Sequence, residues 1–298
     1  MATTASVDIG FHFDSARKTA AHCIVKVVQN TKKGQVDKLA LENFKAGSSF
    51  ENAMDLYVFD KRLRLIVMDA LERIEIAQRV DISHTLGKHG ASAYLDPTLF
   101  QDDFSAKLDK NTGISKHHTW LQNHARVTNR SREGFIQHNK NKYGLPLAIW
   151  IACEVWDFGI LSTLFSGMKP EEQNQIAQKY GITKGHVFSS WLRCLSYLRN
   201  ICAHHSRLWN RNIVDQPKMP SVGDVLLFDS GWQSTHVTAR PFLLLCITQH
   251  LLCTINPHST WWQRVSDHLG NFPDVSHLDL NLDGMGIMDG WDTWSWTE

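Results

Sequence analysis

The sequence contains no CxxC pair, no HExxH, no Gly-rich phosphate loop, no Walker lysine motif and no GxSxG elbow. Structural zinc, helix-borne metalloprotease, P-loop and serine-hydrolase chemistry thus have no foothold in it. Its six cysteines, Cys23, Cys153, Cys194, Cys202, Cys246 and Cys253, lie far apart in apolar surroundings, which suits buried reduced thiols better than a disulfide frame. No apolar run matches the roughly 20 residues of a membrane helix; the best, Pro241 to Ile255, is broken by Thr248, Gln249 and His250. No basic stretch followed by an apolar run opens the chain, so no secretory signal is read and a cytoplasmic location is expected. Among the 16 histidines the closest groupings are His117-His118, His204-His205 and His84 with His89, and none has the i,i+4 spacing with a carboxylate of a helical zinc site. Neither a metal nor another cofactor is therefore expected.

What is present is a globular composition with an uneven charge map. The 298 residues are 43% hydrophobic and 20% charged, enough apolar surface for one large or two small cores and too much for a disordered chain. The 31 Lys and Arg nearly cancel the 30 Asp and Glu, but the cancellation is between blocks. From Gln173 to Val214 there are six bases and no acid, whereas Val265 to Glu298 carries seven acids and no Lys or Arg. A third block, Lys110 to Cys153, sets seven bases against one acid. The first 264 residues, with 31 bases and 23 acids, form a net +8 body that could attract a polyanion. Ordinary clustering on solvated helix faces would give the same count.

Periodicity predicts an all-α bundle with irregular N- and C-terminal extensions. Leu56, Phe59, Leu63, Ile66, Ala70, Ile74 and Ala77 mark one face of a long helix between Glu51 and Leu86. Asp60, Arg64, Asp69, Glu72, Arg73 and Glu75 are assigned to its other faces. Further helices are predicted over Ser131 to Tyr143, Leu147 to Phe165, Pro170 to Tyr180, Gly185 to His205 and Ala239 to Ile255. Asp96 to Ser131 reads as a loop with short helices and Asp224 to Phe228 as a weak strand; residues 1–50 show no strong period, with Ala20 to Val28 read as a short helix or strand and Thr31 to Gly34 as a turn. Three parts follow: residues 1–49, a helical domain over 50–256, and an acidic, Trp-rich segment over 257–298.

One constellation carries chemistry: Arg199-Asn200-Ile201-Cys202-Ala203-His204 at the end of an amphipathic helix, followed by His205, Arg207, Trp209 and Arg211. Asn200 and His204 are four residues apart and share a face. Arg199 lies about 140° round the helix from His204, within reach of its long side chain. A guanidinium that holds phosphate beside an imidazole that moves a proton near neutrality is what metal-free phosphodiester cleavage requires. The same residues at a helix C-terminus also complement the dipole and cap carbonyls, and residue physics leaves both readings open. Trp209 is the candidate for base stacking, Arg64 for an RNA contact, and Glu154 for either a partnered acid or an accessory group.

Arg-x4-His with Asn after the Arg, inside a helical bundle, resembles the signature of the HEPN superfamily, and RNICAHHSRLWNR is similar to the abortive-infection Abi family within it. LYVFDKRLRLIVMDALERIEIAQRVDI (Leu56 to Ile82) and FIQHNKNKYGLPLAIWIACEVWDFGILSTLF (Phe135 to Phe165) are similar to two further blocks of that family. The likeness runs from about Phe50 to Arg211, with a fainter echo at residues 257–275. It implies a HEPN-like helical fold and a metal-independent endoribonuclease of antiphage defence. It further implies a homodimer through the Arg-x4-His face and an RNA or protein antitoxin. The roles implied are phosphate holding for Arg199, general acid or base for His204, orientation for Asn200, and substrate contact for His205, Arg207, Trp209 and Arg211. The alternative is a non-catalytic RNA-binding module or toxin–antitoxin partner on the same fold. Trp291, Trp294 and Trp296 with the acidic segment suggest packing or, alternatively, a phosphate mimic over the basic face.

Overall fold

In a computed structural model, residues 25–32, 35–225, 234–294 and 296 are described. Helix α1 (Phe50–Gly87) is the axis on which the others assemble. Ser49 begins it: its hydroxyl accepts the Asn52 amide while the Asn52 side chain accepts the Ser49 amide, a reciprocal cap that satisfies two otherwise orphaned donors. At 1.5 Å per residue α1 runs some ~57 Å. It is followed by α2 (Asp102–Ser105), α3 (Lys116–Arg130), α4 (Gly134–Tyr143), α5 (Ile149–Ala152), α6 (Phe158–Gly167) and α7 (Pro170–Lys179). The C-terminal set is α8 (Gly185–Ala203), α9 (Thr235–Thr238), α10 (Pro241–Ile255) and α11 (Trp261–Gly270). Helices α5, α6, α8, α10 and α11 all contact α1, and α8 also packs on α6 and α7. The chain is therefore all-α, as the periodicity predicts. None of its described helices is long and apolar enough to cross a membrane.

Four sequence readings change. The period-poor N-terminus contains an antiparallel hairpin, β1 (Val25–Lys32) with β2 (Gln35–Phe44), in a register that pairs Val28 with Leu39 and Thr31 with Val36. Half of the turn read at 31–34, whose Thr31 and Lys32 belong to β1, and most of the weak strand at 224–228 fall outside the described residues; Asp224 itself sits in a turn, its carboxylate accepting the Thr183 and Ser221 amides. The single helix expected over Leu147 to Phe165 is two. Asp157 accepts the Ile160 amide at 2.9 Å and starts α6 afresh, and Arg79 donates to the Trp156 carbonyl released at the break. The loop expected over Asp96 to Ser131 contains the 15-residue α3. Its buried stripe is His117, Trp120, His124 and Thr128, a helical period carried by residues that an aliphatic count passes over. Finally, Asp60 and Arg64 lie within the core stripe of α1, not on its solvent faces.

The acidic C-terminal segment packs on the bundle. Trp291 and Trp294 pack around Phe242 with ring centroids 5.8 and 6.2 Å away, and Trp296 meets Trp262 at 5.0 Å. Among its carboxylates, Asp274 accepts from Ser276 and Asp283 from Asn281, while Asp279 lies 3.8 Å from Lys45.

Under α3 lies an aromatic box in which Trp156 Nε1 donates to His124 Nδ1 at 2.9 Å, and Tyr94 and Trp120 close the sides. Burial pushes the His124 imidazole down to about 4. Unfolded histidine titrates near ~6.5, so between these values the unfolded chain binds more protons and stability rises with pH, by up to about 1.4 kcal/mol per unit. That stability is complete above about pH 6.5 and is lost as pH falls toward about 4. His124→Gln is expected to show a smaller drop in urea midpoint between about pH 7 and about pH 5 than the native chain. Equal drops would contradict a neutral, buried His124.

Candidate functional site

Helix α8 presents its far end as the site. Its apolar face buries Phe188, Trp191, Leu195, Leu198 and Cys202 against α1, α6 and α7, the stripe its three-four spacing predicts. Burial pushes the Cys202 thiol up to about 12, and Cys202 is accordingly a packing residue. The helix ends in a Schellman turn: the Ser206 amide donates to the Ile201 carbonyl at 3.0 Å and the His205 amide to Cys202 at 3.3 Å. His205 occupies the left-handed position of that turn, with φ 56°, where glycine is the usual residue. The turn brings His204 and His205 into solvent side by side.

Arg199 is 31% exposed, and its Nε lies 3.7 Å from Glu75 Oε2 on α1. Glu75 also accepts from Arg79 at 3.3 Å, so one carboxylate steadies two guanidiniums. Burial raises the Glu75 carboxyl, opposed by Arg199 and Arg79. Asn200 is exposed, its Oδ1 3.5 Å from Arg199 Nη1, and lines a cavity between α3 and α6. Arg199, Asn200 and His204 are thus gathered at one exposed helix end, with the guanidinium partly neutralised but open to solvent. A phosphate could displace Glu75 from it.

The segment after the motif is clamped from below. The Asp60 carboxylate accepts the backbone amides of Leu208 and Trp209 at 2.8 and 2.7 Å and is ion-paired to Arg64, which donates to the Ser206 carbonyl at 3.3 Å. Asp60 and Arg64 are 2% and 4% exposed. Burial pushes the Asp60 carboxyl up, and Arg64, the two amides and Arg207 pull it back down. Arg64 is therefore buried in a structural clamp. Trp209, at 2% exposure, lies against Phe272 and Gly284 and is likewise buried. Arg211 is half-buried and donates twice to the Tyr197 hydroxyl, while half-buried Arg207 lies near Asp60. Glu154 is exposed in a 3-10 turn and paired with Arg79 at 3.5 Å, the partnered acid of the two readings although not a buried one.

Sequence reasoning missed Glu75 as the partner of Arg199 and Asp60 as the anchor of the loop. A signal existed for Asp60, which with Arg64 falls at three-four spacing among Leu56, Phe59, Leu63 and Val67. None existed for Glu75, whose pairing with Arg199 depends on how two helices cross. Among the described residues no group of three His, Cys, Asp or Glu is placed to hold a metal ion.

The model of a family described as Abi-like protein matches residues 30–210. The matched span begins before the long helix, takes in most of the hairpin, and ends one residue short of Arg211; the fainter echo read at 257–275 lies outside it. No curated protein and no solved structure matches the chain.

Two outcomes test the clamp and the turn. Arg64→Met should cost about 3–5 kcal/mol in urea unfolding, because Asp60 is left buried without its partner. Asp60→Asn/Arg64→Met should cost less than the two single changes summed, by about 1 kcal/mol or more; additive costs would contradict a coupled pair. His205→Gly should raise stability by up to about 1 kcal/mol while His205→Val lowers it. The reverse order would contradict the left-handed turn.

Proposed function

We propose, from the premise that the chain belongs to the Abi-like protein family, that it is an RNA-cleaving effector with Arg199, Asn200 and His204 as its working residues. Membership suggests a role in abortive infection. The observation that carries the finer reading is the division of labour around the motif. Arg64, Trp209 and Arg211 are committed to the fold, whereas Arg199, Asn200 and His204 meet solvent at the end of α8.

In this reading Arg199 holds the scissile phosphate and offsets the charge that builds up on it. The ribose 2′-OH loses its proton to a base and attacks the adjacent phosphorus. The bond to the 5′-oxygen breaks, that oxygen takes a proton, and a 2′,3′-cyclic phosphate remains. His204 serves one of the two proton transfers, and Asn200 orients His204 or the phosphate. A single helix splays Arg199 and His204 apart by about 140°. A second copy facing the first would supply both groups to each side of one phosphate, which favours a homodimer. Such an effector requires restraint in a growing cell, by a small RNA or a protein antitoxin. No metal or other cofactor enters the scheme.

The native chain in EDTA is expected to cleave RNA to 2′,3′-cyclic phosphate ends, and Arg199→Ala and His204→Ala to lose at least about 100-fold in rate. Mixing the two variants should restore part of the activity if one cleft draws on both copies. Equal rates in all three proteins would overturn the nuclease reading. Steeply salt-dependent RNA binding without new ends would instead favour the non-catalytic module.

A further inference from the structure

Two cavities meet at α6, one between α6 and α3 with Asn200 of α8 at its edge, the other between α6 and α8. The first, about 670 Å³, opens at the motif and is lined by Asn200, Asn123, Arg126, Lys116 and Asp157. The second, about 540 Å³, lies at the other end of α8 and is lined by Lys184, His186, Arg193, Lys218, Ser189 and Ser190. Thr163 and Ser166, on the exposed face of α6, line both. The two helices run antiparallel: Ser196 is the neighbour of Gly159, while Arg193 and Ser189 share the far cavity with Ser162 and Ser166. Linked through Thr163 and Ser166 of α6, the two cavities reach from Asn200 at one end of α8 to Lys184 at the other, positions roughly 24 Å apart along the helix at 1.5 Å per residue.

The far end is electrostatically one-sided. Three Lys or Arg and a histidine line it, and none of its described lining residues is Asp or Glu. Burial, then Lys218 and Lys184, hold the His186 imidazole below its ordinary value. The near end contains two carboxylates, both engaged: Asp109 accepts the Asn111 and Thr112 amides, and Asp157 caps α6. The cationic end is held by specific bonds. Ser190 Oγ accepts the Lys218 amide at 2.9 Å and Trp191 Nε1 donates to the Lys218 carbonyl at 2.9 Å, which pins this stretch to α8. Gly185 lets α7 and α8 approach so closely that a side chain there would collide with Gln173. Arg193 has one exposed partner, Asp215 at 3.5 Å, a pair weak enough for a phosphate to replace.

We infer that the two cavities form one track for single-stranded RNA leading away from the motif, with Lys184, Arg193 and Lys218 holding phosphates at its far end and Thr163 and Ser166 bridging the middle. This rests on the RNA reading above. A mononucleotide or free phosphate offers the same chemistry to the far cavity. Continuity through Thr163 and Ser166 to Asn200, over a length beyond one nucleotide, favours a strand. The one indole in the lining, Trp120, is buried in the core, so the track grips the backbone and not the bases.

The test is fluorescence anisotropy with unstructured oligouridylates in the full chain carrying His204→Ala, which keeps the probe whole. Lys184→Ala/Arg193→Ala/Lys218→Ala should weaken a probe of about 12 nucleotides at least tenfold and lower its salt slope by about 2, at roughly 0.7 for each phosphate left without its cation. A probe of about 3 nucleotides should bind unchanged. Neutralising Lys61, Lys88 and Lys142, which line neither cavity, should leave both probes unchanged. Equal loss for both probe lengths, no loss for either, or a far cavity that binds uridine monophosphate or inorganic phosphate without any length dependence would overturn the track. Cleavage is read separately in the chain with native His204. RNA cut through Arg199 and His204 with no length-dependent binding removes the track alone. Length-dependent binding without cleavage removes the nuclease reading alone.

Discussion

The buried pair Asp60–Arg64 is the constraint on which the site depends. Two charges taken out of water are costly unless each is paired and hydrogen-bonded, and this pair meets that condition by reaching into another part of the chain. Asp60 accepts two amides, and Arg64 donates to a carbonyl, all in the segment just after the α8 turn. The bundle's longest helix thereby fixes where α8 must end. The Schellman turn sets the direction in which the chain leaves, and His204 and His205 are placed by those two restraints together.

This arrangement separates holding from acting. Residues that look suited to nucleic acid by type, Arg64 and Trp209 above all, are consumed in fixing the loop, and Gly284 of the C-terminal segment closes over Trp209 from behind. The polar groups left at the surface are few and lie on two sides of α8: Arg199 toward Glu75 of α1, Asn200 toward α3 and α6. A site built on helix ends and braced underneath can keep its geometry while exchanging a weak internal partner for a ligand. The charge map adds to this. The acid-free block of the sequence contains α8, and two of its six bases, Lys184 and Arg193, line the trough beside it.

Much of this was legible in the sequence where period and chemistry coincide. The aliphatic spacing of α1 and the mixed stripe of α8 place both helices within a residue or two of their observed limits. The motif is likewise legible because Arg, Asn and His crowd one helix end. Legibility fails where packing lets polar or aromatic residues do the work of aliphatics. His117, Trp120 and His124 make α3 a core helix without a Leu-like pattern, and Asp60 and Arg64 look solvent-facing by type while sitting at core spacing. It also fails where an interaction exists only after helices cross, as for Glu75 with Arg199. Asp157 was readable as a cap, but the run of apolar residues on both sides of it concealed the break. The acidic, Trp-rich end reads by composition as a tail or a wrap-around segment; its tryptophans pack on the face of α10 around Phe242.

The central claim is that the chain after the motif is locked onto α1 through buried charge. Amide hydrogen exchange at Leu208 and Trp209 tests it most directly. Both amides should exchange only through global unfolding, as slowly as the most protected amides of α8, although neither belongs to a helix. Exchange at the rate of a surface loop in the native chain would contradict the account.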